Sequence, residues 1–317
     1  MGKQVRLLDM IRHLIILIIV FLAVSCGSNH MLKEKIKIDD YPSASGIEYF
    51  NQQFFVIGDD ANGLLILDSS MKAVDSIKLY SFPGKRISKE DKADLESITV
   101  TERNKLLLLG SGSKSPQRNE GWLIDPITKQ KDSIRLDTFY QRLKDKGLAE
   151  LNIEGSTAIP GAMILSNRGS KGFQKNHLII TGPDFWEKQD HSPITLIHLG
   201  GNSDSSSFKG VSGMTYAKRS DRLILTVSTE DTRNNIDDGA IGKSYLWIID
   251  NITSKKRWQA INADQVIDLG NIDPEFKGQK IESVCVTKET KNFLHLMLAA
   301  DNDDGSSSIF KVIIEKK

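Results

Sequence analysis

Four glutamates recur in similar contexts along the 317-residue chain and are the side chains best suited to chemistry. In each short run the glutamate directly follows an apolar residue, and Thr215 takes the same place in a fifth copy; the glutamates are Glu48, Glu96, Glu154 and Glu282. Carboxylates that converge are usually relieved by a cation, a basic partner or a proton. Oxygen ligands suit Ca²⁺ or Mg²⁺ better than zinc. We therefore predict a metal site formed by the four glutamates, with Ca²⁺ as the candidate cofactor. In the alternative, each glutamate caps backbone amides or faces water as a structural feature.

Polar tips follow the second apolar run of each repeat and supply further candidate ligands. Asp59, Glu230 and Asp301 are acidic, whereas Arg168 stands on the tip of the central repeat. We predict that these four side chains bind a ligand. The planar guanidinium of Arg168 suits an anionic group, and a salt bridge with Glu154 is the alternative.

Several enzyme signatures are absent from the sequence. Residues 239–244 (GAIGKS) resemble a phosphate loop, but Asp237 stands where the first glycine is required. No G-x-S-x-G motif is present, and the six histidines lack metal-ligand spacing. The acidic run at residues 301–305 lacks the third alternating ligand and the glutamate at position twelve of an EF-hand loop. The sequence therefore leaves open whether the protein is an enzyme.

The candidate residues belong to a long repeat. Copies aligned on the glutamates are separated by 48, 58, 61 and 67 residues, which indicates a repeat architecture. Each copy has short runs of Ile, Leu and Val between Gly, Asn, Asp and Ser turns, a pattern typical of β-strands. The outer half also recurs, since residues 64–79 match residues 122–136. Each repeat is therefore predicted to hold four strands, and only residues 137–148 favour a helix.

Four-stranded units in about five copies predict an all-β chain folded as a β-propeller, whose blades surround a channel. The last copy has three clear strands, whereas an unassigned strand at residues 34–39 precedes the first copy. We predict that this N-terminal strand closes the last blade and removes the open sheet edges. Residues 36–317 would form this single domain. A sixth blade within residues 170–210 or 233–280 remains open, and two sandwich domains are the alternative.

Residues 1–25 resemble the signal peptide of a bacterial lipoprotein. Basic residues precede an apolar run at residues 14–24, which at about 1.5 Å per residue is too short to span a bilayer of about 30 Å. The motif LAVSC, ending at Cys26, resembles a lipobox, which implies acylation of that cysteine. Residues 26–35 would be the lipidated cysteine and a tether to the membrane. A leader cleaved to release soluble protein and an uncleaved anchor are the alternatives.

The composition argues against nucleic acid as a partner. Lys and Arg total 42 against 41 Asp and Glu, so the chain lacks the positive excess of a nucleic-acid-binding protein. Cys285, the only other cysteine, lies in an apolar run and is predicted to be a small buried side chain. We expect a monomer that contacts a membrane through its lipid and binds an unknown small-molecule or protein ligand.

The repeat motifs resemble those of the phytase-like β-propellers of bacterial envelopes. Residues 152–169 (NIEGSTAIPGAMILSNRG), SGIEY at residues 45–49, and the motifs LESI and IESV carry the resemblance, which extends over residues 43–315. It implies a propeller in the cell envelope of a Gram-negative-type bacterium, anchored to the inner or outer membrane and facing the periplasm or the surface. We predict a binding or scaffold role at an acidic channel mouth. The alternative is a Ca-dependent phosphoric-ester hydrolase.

Overall fold

Five sheets surround one axis in this computed structural model, which makes the chain a five-bladed β-propeller. Blade 1 contains β2 (Ala44–Phe50), β3 (Gln53–Gly58), β4 (Gly63–Leu67) and β5 (Ala73–Lys78). Blade 2 contains β6 (Leu95–Val100), β7 (Leu106–Gly110), β8 (Glu120–Ile124) and β9 (Lys131–Arg135). The structure describes residues 29–170, 172–200, 208–230, 241–302 and 304–316, without the side chains of Glu230 and Ile241.

Blades 3 and 4 use the long segments in which a sixth blade was considered. Blade 3 contains β10 (Ile153–Ile159), β11 (Ala162–Asn167), β12 (Asn176–Thr181) and β13 (Ile194–Leu199), and β17 (Ala260–Ile261) adds a short parallel strand to β13. Blade 4 contains β14 (Lys209–Ala217), β15 (Arg222–Glu230), β16 (Ile241–Asp250) and β18 (Gln265–Asp268). The five-blade prediction is therefore confirmed, and the six-blade and two-sandwich alternatives are wrong.

The N-terminal strand closes the ring. Blade 5 contains β19 (Lys280–Glu289), β20 (Phe293–Asp301), β21 (Ser307–Glu315) and, outermost, β1 (Met31–Ile38). Strands β1 and β21 pair antiparallel, with Met31 opposite Ile313 and Ile38 opposite Ser307. The predicted closure is thus confirmed, and β1 covers an edge that would otherwise be open to other strands. The strand begins at Met31, so it extends into the segment predicted as a tether.

Apolar side chains fill the spaces between neighbouring blades. Phe55 of blade 1 and Leu108 of blade 2 belong to one such cluster, and comparable clusters join every other pair of adjacent blades. Each fully buried side chain of this size stabilises the fold by about 1.5–3 kcal/mol. The core is therefore distributed around the ring, and no blade can bury its apolar faces alone.

The predicted helix lies between blades 2 and 3. Helix α1 (Asp137–Asp145) buries Phe139, Tyr140 and Leu143 in the cluster between these blades, and the Tyr140 hydroxyl donates to the carbonyl of Gly110 at 2.6 Å. Among the described residues, four short 3₁₀ helices occupy loops, at Gln117–Asn119, Ile252–Lys255, Leu269–Asn271 and Pro274–Phe276.

The segments predicted as signal peptide and lipidation site lie outside the described residues, and this includes Cys26. Within the part of the chain that the structure describes, no helix combines the length and apolar character needed to cross a membrane.

Candidate ligand site at the channel mouth

The first strand of each blade lines a central channel. Strands β2, β6, β10, β14 and β19 contact one another in this cyclic order, and β19 contacts β2 in turn. All five begin at the same end of the channel, which we call the mouth face. The polar tips lie there too, because an antiparallel second strand returns to the end at which the first began. The strands that carry the predicted glutamates therefore surround one axis.

A β-bulge interrupts every inner strand near the mouth face. In each blade, the register between the first and second strands shifts by one and leaves one residue of the inner strand unpaired. Such bulges redirect a side chain out of the regular alternation of a strand. The five bulged residues are Ser45, Glu96, Glu154, Ser212 and Glu282.

Glu48 does not belong to this ring. It lies three residues after the bulged Ser45, at the level that Thr99, Thr157, Thr215 and Cys285 occupy in the other blades. The sequence alignment that placed Glu48 and Thr215 at the level of Glu96, Glu154 and Glu282 is therefore wrong by three residues. The alignment fails because the position of the bulge, and not the position of the carboxylate, sets the register of each inner strand.

Glu48 instead joins the inner strands of blades 1 and 2. Its carboxylate accepts hydrogen bonds from the backbone N–H groups of Tyr49 at 2.8 Å and Val100 at 3.3 Å. Burial raises the pKa of Glu48 to about 7. Glu48 thus caps backbone amides, which is the alternative considered from the sequence. The neighbouring Cys285 is buried, and burial followed by the charge of Glu48 raises the pKa of its thiol.

The two bulged serines hold adjacent blades together. The Ser45 hydroxyl donates to the carbonyl of Leu95 at 2.5 Å, and the Ser212 hydroxyl donates to the carbonyl of Ile281 at 2.6 Å. The inner strands approach closely here, since a Cβ atom on Gly213 would lie 2.5 Å from the carbonyl oxygen of Glu282. Both serines therefore connect neighbouring inner strands by hydrogen bonds. The other three bulged residues at the mouth are carboxylates.

Lys92 supplies a cation between carboxylates of two blades. Its Nζ contacts Asp59 on the tip of blade 1 and lies 2.8 Å from Oδ1 of Asp94, which precedes β6. Arg118 Nη1 lies 2.6 Å from Oδ2 of Asp94. Burial raises the pKa of Asp94, but the charges of Lys92 and Arg118 outweigh it and lower that pKa below its ordinary value. The protein thus places its own cations among these carboxylates.

Glu96 lies beside this network without a direct partner. It makes no hydrogen bond, and no ion pair within 4.0 Å, with any residue that the structure describes. One of its oxygens lies within 4.8 Å of oxygens of Asp59 and Asp94. Burial, followed by the charges of Glu154, Asp94 and Asp59, raises the pKa of Glu96 well above its ordinary value.

The other two bulged glutamates have cations of their own. Glu154 Oε1 accepts a hydrogen bond from the side-chain amide of Asn152 at 2.5 Å and lies 3.8 Å from Nη1 of Arg168. Lys280 Nζ lies 2.7 Å from Oε1 of Glu282. The mouth therefore alternates carboxylates with cations, whereas the sequence had suggested a mainly acidic surface.

The predicted tip residues differ in their placement. Asp59 belongs to the Lys92 network, and Arg168 lies beside Glu154. Asp301 ends β20 opposite Lys280, so it lies at the rim of the same mouth. The side chain of Glu230 lies outside the described residues. These positions bring three of the four predicted tip residues to the mouth face.

Sequence reasoning missed three site residues, namely Lys92, Asp94 and Arg118. The run KADLE at residues 92–96 was a usable signal, because it places one lysine and two acids immediately before and within an inner strand. Arg118 follows the second strand of its blade, 24 residues from Asp94. No spacing in the sequence relates the two, so only the folded chain brings them together.

Comparisons with known proteins identify a family and a fold. The model of a family of unknown function, DUF6929, matches residues 40–314. This match does not show the phytase-like family that the motifs resemble. No curated protein matches the chain. A glutaminyl cyclase from Myxococcus xanthus superimposes with a TM-score of 0.51 at 12% identity, over 91% of this chain and 97% of that chain. A virginiamycin B lyase from Staphylococcus aureus gives 0.45 at 12% identity, over 89% and 99%. At such identities, the likeness to the cyclase shows the fold alone.

Proposed function

The chain belongs to the DUF6929 family of unknown function, and we propose that it is a binding module of the cell envelope that takes a small cationic ligand at its channel mouth. One observation carries this proposal. Three carboxylates, those of Asp59, Asp94 and Glu96, face only two cations in their network, Lys92 and Arg118. With all three carboxylates ionised the network is one positive charge short, and Glu96 is the member without a hydrogen bond or close ion pair among the described residues.

An ammonium or guanidinium group on the ligand suits this position. Such a group carries several N–H donors in one place. Glu96 offers a carboxylate, and Oδ1 of Asp59 is a buried acceptor without a hydrogen-bond partner among the described residues. A buried acceptor without a donor costs about 1–3 kcal/mol. A ligand that donates to both side chains would remove this cost and supply the missing positive charge.

Proton release would accompany this binding. The raised pKa of Glu96 means that the empty site holds a proton over a wider pH range than an exposed glutamate does. A bound cation favours the ionised carboxylate, so the proton leaves when the ligand binds. The affinity for a cation therefore rises with pH until Glu96 is ionised in the empty site as well.

The test is a calorimetric titration of the purified protein, between pH 5 and pH 8, with a panel of small primary amines and guanidinium compounds. We expect at least one probe to bind more tightly at pH 8 than at pH 5, and Glu96→Gln to weaken it at least tenfold. Glu282→Gln is the matched control, because it removes a bulged carboxylate that Lys280 already neutralises. If no probe binds, or if both variants bind alike, the proposal is wrong.

A divalent-cation site is the second candidate, and with it the Ca-dependent phosphoric-ester hydrolase. The observation in its favour is the approach of oxygens from Asp59, Asp94 and Glu96 within 4.8 Å of one another. Calcium binds such oxygens at about 2.3–2.6 Å. The Lys92 ammonium contacts two of the three carboxylates, so it would have to leave before an ion enters. Thermal melting with Ca²⁺ and with EDTA tests the site, and a panel of phosphate esters tests the hydrolase. Equal melting temperatures and no turnover would contradict both.

The membrane anchor also remains a proposal. The motif LAVSC supports acylation of Cys26, which would hold a monomeric propeller at the inner or outer membrane of a Gram-negative-type envelope. Growth of an expressing strain with an alkyne-labelled fatty acid tests this. The label should appear on the parent chain and be absent from Cys26→Ala. Equal labelling of both chains, or of neither, would contradict the anchor.

A further inference from the structure

We infer that the face of the propeller opposite the mouth lies against the phospholipid surface, so that the channel mouth points away from the membrane. This inference rests on the proposed acylation of Cys26. It adds an orientation and a contact surface, which acylation alone does not specify.

The N-terminal segment runs along the outermost strand of blade 5 and leaves it at the face opposite the mouth. Strand β21 starts near the mouth face after the tip of blade 5, and Met31 pairs with Ile313 near its far end. The chain stays at this opposite face up to Asn29, whose backbone N–H donates to the carboxylate of Glu315 at 3.1 Å. The backbone N–H of Glu315 in turn donates to Nδ1 of His30 at 3.1 Å. The described chain therefore begins at the face opposite the mouth.

Chain length then limits where the lipid can be. Cys26 precedes Asn29 by three residues, which span at most about 11 Å when fully extended. The seven residues of β2 run from the mouth face to the opposite face and rise by about 23 Å at about 3.3 Å each. A lipid on Cys26 therefore reaches the bilayer from the opposite face and cannot bring the mouth to it.

Exposed apolar side chains distinguish the two faces. Ile127, with 73% of its surface exposed, lies in the turn between β8 and β9 on the opposite face, and Met31 is 40% exposed where β1 begins. Trp258 is 50% exposed and follows Lys256, which donates to the carbonyl of Pro160 in a turn of that face. Among the described residues, no large apolar side chain is comparably exposed at the mouth face.

The two remaining exposed apolar side chains agree with this distribution. Val74 and Val266 are the second residues of β5 and β18, strands that start towards the opposite face. Single exposed apolar residues are ordinary on protein surfaces. Their concentration on the side from which the N-terminal chain emerges is the informative observation.

Cations accompany the three apolar tips of this face. Lys131 follows Ile127, Arg257 precedes Trp258 and Lys33 follows Met31, and all three of these cations are exposed. Lys129 and Lys255 are paired with Asp75 and Asp264 and do not count among them. Apolar side chains with neighbouring Lys and Arg match the boundary between acyl chains and anionic headgroups, and tryptophan is favoured at that boundary. The chemistry of this face therefore suits an anionic phospholipid surface, and the ligand would reach the mouth from the aqueous side.

The test compares two variants of the full-length chain, each of which carries a fluorophore on one face of the propeller. Ile127→Cys labels the opposite face, and Lys85→Cys labels the mouth face, where Lys85 pairs with Asp40 in the loop before β2 and its side chain is 75% exposed. Cys285 is buried and does not compete for the label. The labelled proteins are incorporated into vesicles of phosphatidylglycerol and phosphatidylethanolamine that contain a lipid with a spin label on its headgroup.

We expect the probe at position 127 to be quenched at least twofold more strongly than the probe at position 85. Equal quenching, or stronger quenching at position 85, would overturn the inferred orientation. Flotation of the vesicles separates this outcome from failure of the anchor, because a chain without lipid does not float. The Cys26→Ala chain gives that baseline. If the parent chain also fails to float, the anchor and the orientation that rests on it are both wrong.

Discussion

The ammonium of Lys92 lies 2.8 Å from the carboxylate of Asp94, and the same ammonium contacts Asp59 of the preceding blade. A side chain of the protein thus supplies positive charge beside Glu96, which is one of the four glutamates for which the sequence predicted a metal ion. Because all three groups are largely removed from water, this internal cation is important both for stability and for the choice of ligand.

Loss of the internal cation should destabilise the fold and open the site. Lys92→Met leaves two carboxylates without their ammonium, and breaking a buried pair of this kind costs about 3–5 kcal/mol. We expect a loss of that order in urea unfolding, and partial recovery with millimolar Ca²⁺ in the variant but not in the parent. Lys85→Met is the control, because Lys85 pairs with Asp40 at an exposed site and should change stability by less than about 1 kcal/mol. Equal losses in the two variants would contradict this account of Lys92.

Glu96→Gln should stabilise the empty protein at alkaline pH. Because the folded protein raises the pKa of Glu96, the parent loses stability as pH rises and this half-buried carboxylate ionises. The amide carries no charge, so its urea midpoint should exceed that of the parent at pH 8 and approach it towards pH 5. A parent that is more stable than the variant at pH 8 would mean that Glu96 is already neutralised.

Glu48→Gln should show a similar pH dependence, because burial also raises the pKa of Glu48. The pKa of Glu48 is raised to about 7 by burial, against about 4.3 in an unfolded chain. The stability conferred by the protonated form is present below the lower value and is lost as pH rises through about 7. The parent should therefore lose up to about 3 kcal/mol relative to the variant between pH 4 and pH 8. A stability difference that does not change with pH would contradict the raised pKa.

Removal of β1 should open the ring. A chain that starts at Tyr41 lacks the strand that pairs with β21 and leaves that edge free to join other chains. We expect aggregation, and loss of amide protection in blade 5, as measured by light scattering and hydrogen exchange. A chain that starts at Asn29 keeps β1 and should remain monomeric. Monomeric behaviour of both chains would show that closure is dispensable.

Much of the architecture follows from local patterns. Apolar alternation, turn residues and the repeated motifs predict four-stranded blades, and the unmatched strand before Glu48 predicts how the ring closes. The α-helix within the described residues is also visible, since Phe139, Tyr140 and Leu143 of its buried face lie at helical spacing. These features are local because strand and helix periodicities depend on neighbouring residues.

The sequence by itself determined that acids recur on strands that meet around one axis, but it could not determine which acids share a level. Only the tertiary structure placed the bulges that align Ser45 with Glu96 and set Glu48 three residues deeper. It also decided that Lys92 and Arg118 neutralise Asp94 while Glu96 has no direct partner. The reason is that bulges and ion pairs depend on contacts between strands and blades, which residues distant in the sequence make only after the ring has closed.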